Sequence, residues 1–317
     1  MRTAALAFAL AVLPFAVNAQ IQPAPQPDWA NIETVTVKGE PGPAVWHLTR
    51  GNSEVWLLGT IGTMPKGLDW NRQYLSELFD GAHAILMPPK ADVGLADIAW
   101  FLIRHGGELS LPRGQVLEDS MPPDQRARFI AVRDAVGGDD SDYRTDIPIR
   151  AAMRLQQDMM KKAKLTGEEP RNTISDLAGH KHIPDRPISR FEAMNAIRDV
   201  LKLNPQQQQV CLAQAVEDVS WALDHAAAAG RAWAVGDIRA VKANYSESRF
   251  GVCVLSAVKA MGDIDARNTA DTVAAIDAAL NQPGKTIAVV AMGPLLRKGG
   301  VLEQLEARHI TIEGPAD

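Results

Sequence analysis

"AVWHLTRGNSEVWLLGT", residues 44–60, sets two apolar runs on either side of Gly51-Asn52-Ser53. Glycine and asparagine tolerate the positive φ angles that tight hairpin loops demand, so the stretch predicts two antiparallel strands. The second run ends in Gly59-Thr60 and opens into Ile61-Gly62-Thr63. A strand end is a natural place to present reactive side chains, yet no histidine, cysteine or carboxylate stands there.

Downstream, a helix is expected after Asp69, which can cap it, with Trp70, Tyr74, Leu75, Leu78 and Phe79 returning at helical spacing. "AHAILM", residues 82–87, is a short apolar strand stopped by Pro88-Pro89. This order of strand, helix and strand is that of a crossover unit. The far end of the chain repeats it: "KTIAVVAM" (285–292) is a continuous apolar strand, a helix surrounds "GGVLEQLEAR" (299–308), and "HITIE" (309–313) is a further strand. Both chain ends are therefore expected in one sheet.

The region between is mostly helical. "GLADIAWFLIRHGG" (94–107), "PPDQRARFIAVRDAVGG" (122–138) and "DIPIRAAMRLQQDMMKKA" (146–163) carry the proline and glycine punctuation of helix starts and stops. A long helix runs from Asn204-Pro205 to Gly230, and "DIDARNTADTVAAIDAAL" (263–280) is amphipathic, with Ile264, Val273, Ile276 and Leu280 as its buried stripe. Met153, Met159 and Met160 read as core filler in preference to a groove lining. "GHKHIPDRPISRFEA" (179–193) interrupts the helices. In a strand, His180 and His182 would face one way and suit a bridging metal, but no third ligand is specified and the stretch reads as a polar surface loop. The fold class predicted is α/β, bordering on α+β: a central mixed β-sheet built from both chain ends, with a large, mostly helical middle region.

Residues 1–19 set Arg2 ahead of an unbroken apolar stretch and close on Val17-Asn18-Ala19, the form of a secretory signal peptide. Residues 20–42 are a Pro/Gln-rich linker, expected to be extended and mobile. A single domain is expected over 43–317. No later stretch is long enough to span a bilayer, which predicts a periplasmic or secreted protein with no membrane span after signal cleavage. The formal charge of −5 becomes −6 when the positive Arg2 is removed, without blocks of one sign, so nucleic acid and anionic membrane surfaces are not expected partners. The two cysteines, Cys211 and Cys253, fall in predicted helices that can pack side by side, and a disulfide is favoured over two buried thiols in an oxidising compartment.

These pieces in their order resemble the TraB/GumN family, to which the Tiki metalloproteases are related. The resemblance rests on the strand ending in Gly59-Thr60, the Pro65 and Gly67-Leu68-Asp69-Trp70 that follow, "RFEAM" with Glu192, "AWAVGDIRAV" around Gly236-Asp237, "DARN" with Arg267-Asn268, and the closing "TIAVVAMGPLLRKGGVLEQLEARHITI". It covers about residues 43–313. In that family the chemistry is attributed to two Gly-x-x-His motifs and a strand-end glutamate, a set suited to holding a divalent metal that activates water. Laid onto this chain, Gly62 takes the first histidine's place, Met87 the glutamate's, and Pro294 the second histidine's.

The resemblance thus implies a pseudo-metalloprotease: an exported protein, more a binder than an enzyme, with no metal and no cofactor. The cleft it implies takes a peptide or envelope protein, and its candidate residues are Thr60, Glu192, Arg267 and Asn268 beside the three emptied positions. Two alternatives stand beside this reading, an active hydrolase with a relocated metal or nucleophile, and a structural envelope protein. His83, four positions before Met87 on one strand face, could approach the cleft, and His309 begins the last strand, but each reads better as a hydrogen-bonded histidine near the sheet edge than as a replacement ligand. No Gly-x-Ser-x-Gly elbow, phosphate loop, dinucleotide fingerprint or His-Glu-x-x-His occurs.

Overall fold

The computed structural model describes residues 28–30, 35–36 and 42–315. The signal peptide expected at 1–19 lies outside them, as does most of 20–42. A seven-stranded sheet forms from β1 (Val35–Thr36), β2 (Val45–Arg50), β3 (Ser53–Thr60), β4 (Ala82–Met87), β5 (Asp185–Pro187), β6 (Gly284–Ala291) and β7 (Thr311–Gly314). Its order is β1-β7-β2-β3-β6-β4-β5. The β7–β2 and β2–β3 pairs are antiparallel and the other four are parallel, so the sheet is mixed and both chain ends enter it.

The hairpin turns at Gly51-Asn52, with Arg50 opposite Ser53 and Gly51 at φ +59°. Its strands alternate: Trp46, Leu48, Val55 and Leu57 are buried, while His47 and Trp56 sit half-exposed on the other face. Strand β6 is buried from Thr286 through Val290 because helices or strands cover it on every side, which is why it reads as one apolar run. It lies between β3 and β4, so the first crossover unit does not join adjacent strands.

Of the helices among the described residues, these are used below: α1 (Arg72–Leu78), α2 (Leu95–His105), α3 (Pro123–Ala135), α4 (Pro148–Lys162), α5 (Arg171–His180), α6 (Met194–Leu201), α7 (Pro205–Ala234), α8 (Ile238–Asn244), α9 (Arg249–Ala257), α10 (Lys259–Ala279), α11 (Met292–Leu296) and α12 (Val301–Glu306). One apolar core packs helices on the sheet, and a second fills the helical middle around Leu117, Phe129, Tyr143 and Leu212. The α10 stripe is buried at Val273, Ile276 and Leu280, with Ile264 half-buried.

Three local readings are corrected. Asn71, not Asp69, caps α1 by accepting the Tyr74 amide at 2.8 Å. Trp70 is buried edge-on against Trp233 at 5.2 Å, so the helix can begin only after that anchor. Helix α7, closed at its start by a capping box of Asn204 and Gln207, runs past Gly230 to Ala234. A Cβ at Gly230 would stand 2.6 Å from Pro65 Cδ, so this glycine permits close approach and does not end the helix. His180 ends α5 and His182 sits in a turn at φ +56°, so the two imidazoles share no strand face; part of the expected loop is helix and edge strand.

Cys211 and Cys253 are joined, tying α7 to α9 with their Cα atoms 5.5 Å apart. Closing a loop between residues 42 apart in sequence stabilises the fold by about 4 kcal/mol on the chain-entropy estimate. Within the expected mobile linker, the described residues are docked. The Ala30 amide donates to Leu296, the Lys298 amide donates to Asp28, and β1 extends the sheet beside β7. Among the described residues no helix is long and apolar enough to cross a membrane.

Candidate functional site

Strands β3, β6 and β4 are parallel neighbours, so their carboxyl ends share one edge of the sheet. Ala291 pairs with Thr60 and Ala288 with Leu86, which sets Met87, the last residue of β4, one step past that pairing. Gly62 lies two residues beyond β3. Pro294 lies in α11, the short helix that β6 runs straight into. The topology therefore brings Thr60, Gly62, Met87 and Pro294 to one edge.

What these positions offer a metal is little. A Cβ built on Gly62 meets nothing within 4 Å, and its backbone lies outside the left-handed region, so the position has room for a side chain but carries none. Met87 is buried and presents only a thioether, and Pro294 presents a ring without a donor. Catalytic metals take about three protein ligands. Among the described residues, no group of three or more His, Cys, Asp or Glu side chains is placed to hold an ion. The residues present do not fit the divalent metal that the family's two Gly-x-x-His motifs and glutamate are suited to hold.

Nor do the two spare histidines approach this edge. His83 stands at the amino end of β4, with Nε2 3.3 Å from Thr286 Oγ1, and lies four strand steps, about 13 Å, from Met87. His309 sits in an exposed turn at φ +60°, before β7, where Thr311 pairs with Thr49 next to the hairpin turn. Both are at the opposite edge of the sheet, and neither supplies a replacement ligand at the carboxyl edge.

Glu192 lies on a separate two-stranded ribbon, exposed and paired in register with Asp92. Arg267 and Asn268 lie on α10, the first exposed and the second half-buried. Nearby, α10 is anchored by Arg297 just after α11: it donates to Asp265 at 2.8 Å and Thr269 at 3.1 Å on α10, and reaches Glu247 at 3.3 Å.

A cleft of about 200 Å³ opens beside the β3 end of this edge. Ile61 and Thr63, the neighbours of Gly62, form one wall; Met159 and Met160 of α4 form another. The α7 wall carries Asp218 and Trp221, and the loop after α8 adds Tyr245 and Ser248. Thr60, Glu192, Arg267 and Asn268 are not part of these walls.

Several polar groups of the cleft are engaged structurally, whereas the buried indole Nε1 of Trp221 has no hydrogen-bond partner. Asp218 accepts the amides of Arg249 and Phe250 and the Ser248 hydroxyl at 2.9 to 3.0 Å, closing the start of α9. Burial nevertheless pushes its carboxyl above the usual carboxylate range. Ser248 also accepts the Gly251 amide, so its hydroxyl, donated to Asp218, caps a helix. Tyr245 stands over Gly293, where an added Cβ would lie 3.1 Å from its hydroxyl; burial, aided by the Glu247 charge, raises the phenol's pKa. The Trp221 ring lies 3.6 Å from that of His225, whose Nδ1 is 3.3 Å from Asn244 Oδ1. Such walls can seat a ligand by apolar contact and hydrogen bonds. Of the residues that form them, Ile61 and Thr63 stood out in the sequence as the loop after β3, while Met159 and Met160, read there as core filler in preference to a groove lining, do line the cleft; Asp218, Trp221 and Tyr245 carried no motif.

A family model described as the TraB/PrgY/gumN family matches residues 44–314. The chain belongs to the TraB/PrgY/gumN family. The match opens one residue before β2 and closes on the last residue of β7, so the TraB/PrgY/gumN region contains the whole sheet except β1. No curated protein and no solved structure matches the chain.

Proposed function

We propose that this TraB/PrgY/gumN protein is exported to the periplasm or secreted, has lost the family's metal chemistry, and keeps a cleft that binds a peptide or another envelope component. One observation carries the reading: Gly62, Met87 and Pro294 stand at the ends of three adjacent parallel strands, and none supplies a donor atom suited to a divalent ion. Losing one ligand weakens a site, and losing three leaves nothing to bind with. The cleft beside Gly62 supports the binding half of the proposal, although Thr60, Glu192, Arg267 and Asn268 line none of its walls. A disulfide between Cys211 and Cys253 is consistent with an oxidising compartment.

The test is metal content. Protein purified without a tag and dialysed against metal-free buffer is expected to retain far less than one equivalent of zinc, manganese or cobalt. A triple variant, Gly62→His with Met87→Glu and Pro294→His, is expected to acquire one. Stoichiometric metal in the unmodified protein would overturn the proposal and favour a relocated site.

A further inference from the structure

A second groove, of about 450 Å³, lies in the helical middle. Its volume is within the roughly 300–1,000 Å³ of small-molecule sites. Its walls are almost wholly apolar: Ile98 and Phe101 of α2, Ile149 and Met153 of α4, and Met194 and Ile197 of α6. Three of these side chains are left facing water, Ile98 at 42%, Met153 at 53% and Ile197 at 36% exposure. Apolar side chains gathered around one opening mark a binding surface more than scattered single ones do.

The polar part of the wall has one sign. Arg150 and Arg154 line the groove, with Gln157, and no aspartate or glutamate does. Both guanidinium groups reach the buried Asp146 through Nε, at 3.1 and 2.9 Å, so two positive charges share one carboxylate. The next carboxylate on α4, Asp158, is engaged by the Tyr143 hydroxyl at 2.6 Å and by Lys161 at 3.4 Å. A guanidinium held at Nε keeps its planar terminal nitrogens in the fork that matches a carboxylate.

We propose that this groove binds a single-chain anionic amphiphile, an alkyl carboxylate of the fatty-acid class. The chain lies along the walls of α2, α4 and α6, and the carboxylate meets Arg150 and Arg154. The charge complementarity selects this occupant: an uncharged apolar segment of a protein would leave both arginines without an anion at the wall, and a cationic amphiphile would be repelled.

The experiment titrates the full chain with dodecanoate, decanoate and dodecyltrimethylammonium, each below its micellar concentration, following the heat of binding. Dodecanoate is expected to bind saturably, at one equivalent. Decanoate should bind about tenfold or more weakly, since each buried methylene is worth roughly fourfold, and the cation at least tenfold more weakly than dodecanoate. Arg150→Gln removes one head-group partner while Arg154 stays to neutralise Asp146, and should weaken dodecanoate at least tenfold. Met153→Glu, at a half-exposed position that tolerates a charge, should abolish binding without loss of fold. Absence of saturable binding, equal affinity for anion and cation, or unchanged binding in both variants overturns the proposal. So does a concentration-dependent dimer that Met153→Glu dissolves and dodecanoate does not, which would assign the groove to a second copy.

Discussion

The indole Nε1 of Trp233, near the end of α7, donates to the carbonyl oxygen of Gly59 on β3 at 2.7 Å. Both partners are buried, and they are 174 residues apart. The bond fixes the long helix over the strand whose end carries Ile61, Gly62 and Thr63. Trp233→Phe leaves that carbonyl buried without its partner, so a loss of about 1–3 kcal/mol is expected from urea unfolding. An unchanged unfolding midpoint would show that the bond does not hold the helix there.

The two glycines of Gly59-Thr60-Ile61-Gly62 differ physically. A Cβ on Gly59 would stand 2.8 Å from Met292 Cε and 2.9 Å from Trp46 Cζ3, whereas one on Gly62 meets open space. Gly59→Ala should therefore destabilise by about 1–3 kcal/mol through overpacking. Gly62→Ala should be neutral, or stabilising by about 0.4–1 kcal/mol through the unfolded chain. Thermal unfolding of the pair checks this, and the reverse ranking would refute the packing assigned to Met292.

Removing the Cys211–Cys253 bond, by Cys211→Ala with Cys253→Ala, releases a loop spanning a separation of 42 residues. A stability loss of about 4 kcal/mol is expected. Thiol counting on the unfolded, unreduced protein provides the control, because two free thiols there would mean that no bond had formed.

Asp218 gives a pH dependence with a definite sign. Its folded pKa is raised above the ordinary 3.8, chiefly by burial. The folded state therefore holds the proton more tightly than the unfolded chain. This contribution is fully present below 3.8 and is lost as pH rises through the raised value. Asp218→Asn loses part of the cap on α9, which lowers stability at every pH, but it should also flatten the decline in that window. Urea unfolding at a series of pH values separates the two effects, and parallel profiles for the variant and the parent would exclude Asp218 as the titrating group.

Much was legible in the chain itself because it depends on neighbours a few residues apart. The Gly51-Asn52 turn, the apolar run of β6, the proline starts of α3, α4 and α7, and the absence of donor atoms at 62, 87 and 294 all follow from dihedral preference, periodicity and side-chain inventory. Other features depend on residues that only folding brings together. The insertion of β6 between β3 and β4, the removal of His83 to the far edge beside Thr286, 203 positions away, and the close approach at Gly230 are of this kind. So are both grooves, whose walls come from helices that share no local pattern. A sequence states which groups exist and how each segment bends, but a site is a set of distances between segments, and tertiary packing alone determines those.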